Sequence, residues 1–200
     1  MSSGAAITPL DSTPTPVIAS DSAAIQVTPT IEITPIPAPT ATPSALLNLK
    51  WNMMTVKSPV TFFRSYQIYY PTAWTIKEYK NTPETDDSGF SILNLTKGSV
   101  SLKITQGAGD AGGCLFPEDP EKEGMYSKYG NYREILNDYI VWRWAPRLDN
   151  TQVQDYSVCA LTSNGFVSST SIGYISITGN DIDAQTLDEI NYILEKIIIE

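Results

Sequence analysis

The feature that most limits what this chain can fold is an abrupt change of composition near residue 44. All thirteen Lys and Arg residues lie after it, and residues 1–44 contain no Trp, Tyr, Phe or Cys but eight of the fourteen prolines, eight threonines and six serines. A segment so poor in large apolar side chains cannot bury enough surface to offset the entropy of ordering its backbone. TPTIEITPIPAPTATPS (28–44) therefore reads as a disordered, extended Thr/Pro-rich tail. At about 3.1 Å per residue in a polyproline conformation, such a tail spans roughly 130 Å, the reach of a spacer between a domain and an anchor. An inert disordered end is the simpler alternative. The expected organisation is a spacer over 1–44 and a folded domain over 45–200.

The folded part sets thirteen bases against nineteen acids, a net charge of −6. Nucleic acid and anionic membrane surfaces both demand a basic stripe, so neither is expected as a partner. The chain has no histidine. That excludes imidazole-based hydrolase triads, histidine-ligated zinc and histidine phosphotransfer, and leaves lysine or carboxylate chemistry open. No window is long and apolar enough for a spanning helix, and MSSGAAITPL lacks the regions of a signal peptide. A spacer with nothing before it implies a signal or anchor preceding residue 1, and membrane association only through that anchor.

Two cysteines, Cys114 and Cys159, are too few for a structural zinc site. The favoured reading is one disulfide in an exported, extracytoplasmic protein, which would contribute about 4 kcal/mol in the chain-entropy treatment. Two separate buried thiols are the alternative.

From residue 66 the sequence reads as short strands broken by turns. SYQIYY (65–70) is β-prone, Pro71 ends its ladder, and AWTIKEY (73–79) resumes the alternation, with Ile68 and Trp74 expected in the core. FSILNLT (90–96) and SVSLKITQ (99–106) form a hairpin around Lys97 and Gly98. Residues 107–131 are irregular. YIVWRW (139–144) is a strand stopped by Pro146, DYSVCAL (155–161) is another, and Asn164–Gly165 turns into a strand from about Phe166 to Thr178. AQTLDEINYILEKIII (184–199) is an amphipathic helix with Leu187, Ile190, Leu194 and Ile197 at helical spacing. Thr186 and Glu189 have capping-box spacing, and Asp181 or Asp183 stands ready to cap the end. These elements define an α+β domain around an antiparallel sheet.

Several motifs carry chemistry on paper. GAGDAG (107–112) is a G-x-G-x-x-G, but Gly113–Pro117 cannot open the helix that a dinucleotide fingerprint needs, so a glycine turn delivering Cys114 is preferred. Acids at Asp86 and Asp87, at EDPEKE (118–123) and at Asp181 with Asp183 lack EF-hand spacing and read as solvated loop charge, a weak Ca²⁺ site at 118–123 staying open. Trp142 and Trp144 share one strand face; with Tyr139, Tyr69, Tyr70 and Tyr79 they are either a stacking platform for sugar or peptide or an ordinary core face, and Arg143 and Arg147 nearby are candidates to orient an anionic ligand. Alternation places Tyr69 and Tyr70 on opposite faces, leaving one available to a partner. Asn94-Leu95-Thr96 is a glycosylation sequon inside the best hairpin.

The order YQIYYPTAW, ITQGAGDAGGC, YSVCALTSNG, SIGYISI and LDEINYILEKIII resembles that of PsbP-like domains over about residues 55–199. In bacteria such domains often follow a membrane anchor or lipoprotein signal and a Thr/Pro spacer. The resemblance implies a central antiparallel sheet sandwiched by helices. It implies no enzyme, and the histidines of PsbP metal sites have no counterpart here. The expectation is a non-catalytic, envelope-associated or cell-surface binding or assembly module, monomeric, with no cofactor and an envelope protein or glycan as partner. The competing expectation is a carboxylate-dependent enzyme acting on envelope polysaccharide or peptide.

Overall fold

The computed structural model describes residues 46, 48–83, 89–109, 111–124, 126–180 and 182–200, all within one compact unit. The expected spacer over 1–44 and the acids Asp86, Asp87 and Asp181 lie outside the described residues, as does Asp110 of the glycine motif.

The alternating apolar pattern produces a long antiparallel sheet. Strands β3 (Thr75–Thr82), β4 (Phe90–Lys97), β5 (Val100–Gln106), β12 (Tyr174–Thr178), β10 (Gln152–Thr162), β9 (Ile140–Asp149) and β8 (Arg133–Asn137) pair in that order. In β4 and β5 every second residue is buried. Leu93, Leu95, Leu102 and Ile104 thus point to the core, while Asn94, Ser101 and Lys103 stay half-exposed on the other face. The β4–β5 turn is Gly98–Ser99, with Lys97 paired to Val100. Gly98 has φ +58°, as a two-residue turn opened by glycine requires. The predicted turn at Lys97–Gly98 was one residue early.

A second structure grows from the end of this sheet. Strands β11 (Gly165–Val167), β6 (Gly113–Leu115) and β7 (Tyr126–Tyr129) link β10 to β9, and β9 pairs back to β10. These five strands close into a small barrel. Its interior holds Phe116, Tyr129, Ala145 and the disulfide Cys114–Cys159, which joins β6 to β10. Pro146 does not stop β9. It sits where β9 changes neighbours, between Trp144 paired to β8 and Arg147 paired to β7, and its carbonyl accepts from Gly130 N at 2.8 Å. A residue without an N–H is tolerated at that changeover.

Helix α1 (Ala184–Glu195) and a small sheet of β1 (Trp51–Val56), β2 (Tyr66–Pro71) and β13 (Ile198–Ile199) cover the core face of the long sheet. Asp183 caps α1, its carboxylate accepting from Thr186 N at 2.7 Å. Glu189 does not complete a capping box. Instead it is buried, accepting from Trp74 Nε1 and from Lys97 Nζ, each at 2.8 Å. The neighbouring Asp188 pairs with Arg133 of β8 at 2.8 Å, so consecutive acids tie the helix to two separate strands. Asn137 Nδ2 reaches the last turn, donating to Leu194 O at 3.2 Å and Ile197 O at 3.1 Å.

The expected sandwich of a sheet between helices is corrected. The described residues are mostly β, 55% strand and 9% helix, with one helix and a closed five-strand barrel among them. Two physical causes account for the difference. Residues 107–131, irregular by composition, supply β6 and β7, which pair with each other in parallel and are held on their outer edges by the distant strands β11 and β9. The outer face of β4, β5 and β12 carries Asn94, Ser101, Lys103 and Ser176 in place of an apolar stripe, so no second helix layer is required there.

Candidate functional site

The proposed platform does not form. Trp142 and Trp144 are both 0% exposed and Tyr70 is 6% exposed, all three within the main core. The physical reason is the direction of the strand face: the inner side of β9 meets α1, and aromatic rings are the side chains large enough to fill that space. Arg143, on the opposite face of β9, is a cation held in place by its own fold. Its guanidinium lies 3.9 Å from the Tyr132 ring centroid, 4.2 Å from Phe166 and 5.1 Å from Phe116. It also pairs with Glu118 at 2.7 Å and Glu134 at 3.0 Å. The Tyr132 hydroxyl is hydrogen-bonded to Glu118, which pushes its pKa up. With ring faces and carboxylates all engaged, Arg143 is a structural clasp beside the barrel and not a ligand hook.

The acidic loop is similarly committed. Glu118 serves Arg143, Asp119 accepts from Phe116 N at 2.9 Å and Glu121 pairs with Lys128 at 3.2 Å. No cluster of three or more metal-ligating side chains occurs among the described residues. Arg147 makes a two-pronged pair with Asp155, at 2.9 and 2.8 Å, which raises its pKa. Tyr79 is 41% exposed on the edge strand β3 and Tyr139 is 93% exposed at the β8–β9 turn.

Tyr69 is the exception, and it leads to the concave site. A cleft of about 480 Å³ is lined by Trp51, Tyr69, Tyr192, Glu195, Lys196, Ile197 and Ile198, within the size range of small-molecule sites. Alternation in β2 sends Tyr66, Ile68 and Tyr70 inward and leaves Tyr69 on the outer face, opposite Met53 of β1. Trp51 opens β1, and its ring lies 4.9 Å from Tyr192 of α1, tilted by 38°. Lys196 Nζ sits 5.2 Å from the Tyr192 ring centroid. The Glu195 carboxylate accepts from Asn191 Nδ2 at 2.6 Å, and Asn191 Oδ1 accepts from Trp144 Nε1 at 3.1 Å. Trp144 therefore reaches the cleft only indirectly, by orienting the amide that holds Glu195.

Trp51, Tyr192, Glu195 and Lys196 were not legible as site residues. Tyr192 looks like part of an ordinary helix, and Trp51 is isolated near the composition break. The one usable signal was the alternation that freed either Tyr69 or Tyr70.

Chemically, the cleft offers three ring faces, two isoleucines, one carboxylate and one ammonium. That suits binding by stacking and charge. Glycosidic hydrolysis needs two carboxyl groups flanking the bond, and Glu195 is the single carboxylate among the described residues lining the cleft. The chain matches no protein-family model, no curated protein and no solved structure. The disulfide is the feature that speaks to compartment, since such bonds persist in oxidising surroundings.

Proposed function

We propose that the folded part is a non-catalytic, extracytoplasmic binding module, held at the cell envelope or surface by an anchor through the Thr/Pro segment, and that it takes its ligand in the Trp51–Tyr69–Tyr192 cleft. The observation that carries this reading is the cleft itself: three aromatic side chains from β1, β2 and α1 converge on one concavity beside a single carboxylate. Aromatic side chains left partly open to solvent forgo burial that the core would reward, and a cluster of them is the pattern of a recognition surface. The disulfide and the net charge of −6 suit an exported protein that avoids nucleic acid and anionic lipid. Kinship with PsbP-like domains rests on the order of the sequence motifs and is part of the same proposal.

The test is a panel of neutral oligosaccharides, short peptides and quaternary ammonium solutes, read by tryptophan fluorescence and thermal shift on the wild type and on Trp51→Ala. The reading expects at least one class to bind the wild type and to lose affinity in the variant. Turnover of an oligosaccharide or peptide would favour the carboxylate-dependent enzyme instead, and a panel with no binder would count against the cleft.

A further inference from the structure

The rings of the cleft already serve a cation. Lys196 Nζ lies over Tyr192, whose ring in turn stacks against Trp51, and Tyr69 and Glu195 line the same space. Ring faces attract positive charge through their quadrupole, tryptophan most strongly, and groups of aromatics are the standard receptor for quaternary ammonium. A quaternary nitrogen suits this lining in a second way. Its methyl groups fill apolar volume beside Ile197 and Ile198 without asking for hydrogen bonds, which the cleft supplies sparingly. Glu195, fixed by Asn191, adds the opposite charge. The field of the folded part, at −6, raises the local concentration of cations and does nothing for a neutral sugar.

The ammonium of Lys196 is an imperfect occupant. It is compact and strongly hydrated on a flexible stem, and the side chain is exposed, so it gains less from the ring than a weakly hydrated organic cation would. We propose that the cleft binds the quaternary ammonium group of a small soluble solute, and that Lys196 is its built-in competitor, covering Tyr192 until the solute displaces it. This rests on the reading of the cleft as the ligand site.

Choline, titrated against the full chain and followed by tryptophan fluorescence, is the probe. Lys196→Gln removes the competitor and a like charge, and should tighten choline binding about five-fold. Trp51→Ala should weaken it about ten-fold. The affinity for cellobiose, a neutral comparison ligand, should not respond to Lys196→Gln. Unchanged choline affinity in Lys196→Gln would overturn the competitor role. Failure of choline to bind either protein, with cellobiose or a peptide binding in a Trp51-dependent way, would overturn the cation proposal and leave the binding module standing. No binding by any of them would overturn both. Sedimentation with phosphatidylcholine vesicles separates the sources: free choline should bind without vesicle recruitment, and recruitment without free choline binding would assign the group to a lipid and overturn the soluble-solute proposal.

Discussion

The indole Nε1 of Trp74 donates to Glu189 Oε2 at 2.8 Å, and neither residue is more than 2% exposed. The same oxygen accepts from Lys97 Nζ, whose side chain is 26% exposed. Three elements thereby converge on one buried carboxylate: the turn before β3, the end of β4 and the first half of α1. The bond explains how an amphipathic helix tolerates an acid on its buried side.

Removing one partner of this cluster should cost more than removing the pair. Lys97→Met strands a buried charge and should destabilise the fold by about 2–3 kcal/mol, below the roughly 3–5 kcal/mol of a fully buried pair because Lys97 reaches solvent. Lys97→Met combined with Glu189→Gln, which removes the charge and keeps an acceptor for the Trp74 N–H, should recover part of that loss. Urea denaturation of the single and double variants checks the coupling.

Asp183 gives α1 a pH dependence. Hydrogen bonds from Thr186, the backbone N–H foremost, hold its carboxyl below the usual carboxylate range. A depressed folded-state pKa stabilises the fold above the unfolded value, and that contribution fades as pH falls through the folded value. Asp183→Ala should cost about 1 kcal/mol at pH 7, and the gap to the wild type should close below about pH 4. Asp183→Asn caps without titrating, so its offset from Asp183→Ala should persist in acid. Thermal unfolding across pH measures both.

Two hairpin tips carry side chains where glycine is preferred. At the β8–β9 turn Asp138 and Tyr139 have φ +47° and +65°, and at the β9–β10 turn Asn150 and Thr151 have φ +45° and +81°. Tyr139 is 93% exposed and repays nothing by burial. Tyr139→Gly and Thr151→Gly should each stabilise by about 0.5–1 kcal/mol in denaturant unfolding, as turns with both central residues at positive φ favour Asn-Gly or Asp-Gly.

The disulfide closes the barrel between strands that do not pair directly, β6 and β10, with β11 between them. Cys114→Ser should destabilise by about 2–5 kcal/mol, and intact mass after alkylation should rise by two alkyl groups only when reductant precedes it. Two thiols that alkylate freely in the native protein would contradict the pairing.

Local patterns were the legible part of this fold. Alternation located β4 and β5, helical spacing located α1, and Asp183 was readable as a cap because capping is a matter of adjacent residues. The partners of Cys114 and Cys159 were inferable because only two cysteines exist. What escaped was non-local. β6 and β7 have too little periodicity to be read alone; they pair with each other in parallel, and β11 and β9 offer edges on either side. Trp142 and Trp144 were placed correctly on one face, but which face meets the helix depends on α1, more than forty residues later. The cleft was the least legible, since Trp51, Tyr69 and Tyr192 come from elements that meet only in the folded chain.

The most direct test of the cleft follows the four indole N–H signals of Trp51, Trp74, Trp142 and Trp144 by ¹H–¹⁵N NMR during titration with the bound member of the panel. Trp74, Trp142 and Trp144 are at most 1% exposed, whereas Trp51 lines the cleft. Ligand in the cleft should move the Trp51 signal while those of Trp74 and Trp142 stay in place, and Trp144, joined to Glu195 through Asn191, should move less than Trp51. Movement confined to the buried tryptophans, or binding that leaves Trp51 unmoved, would contradict this account.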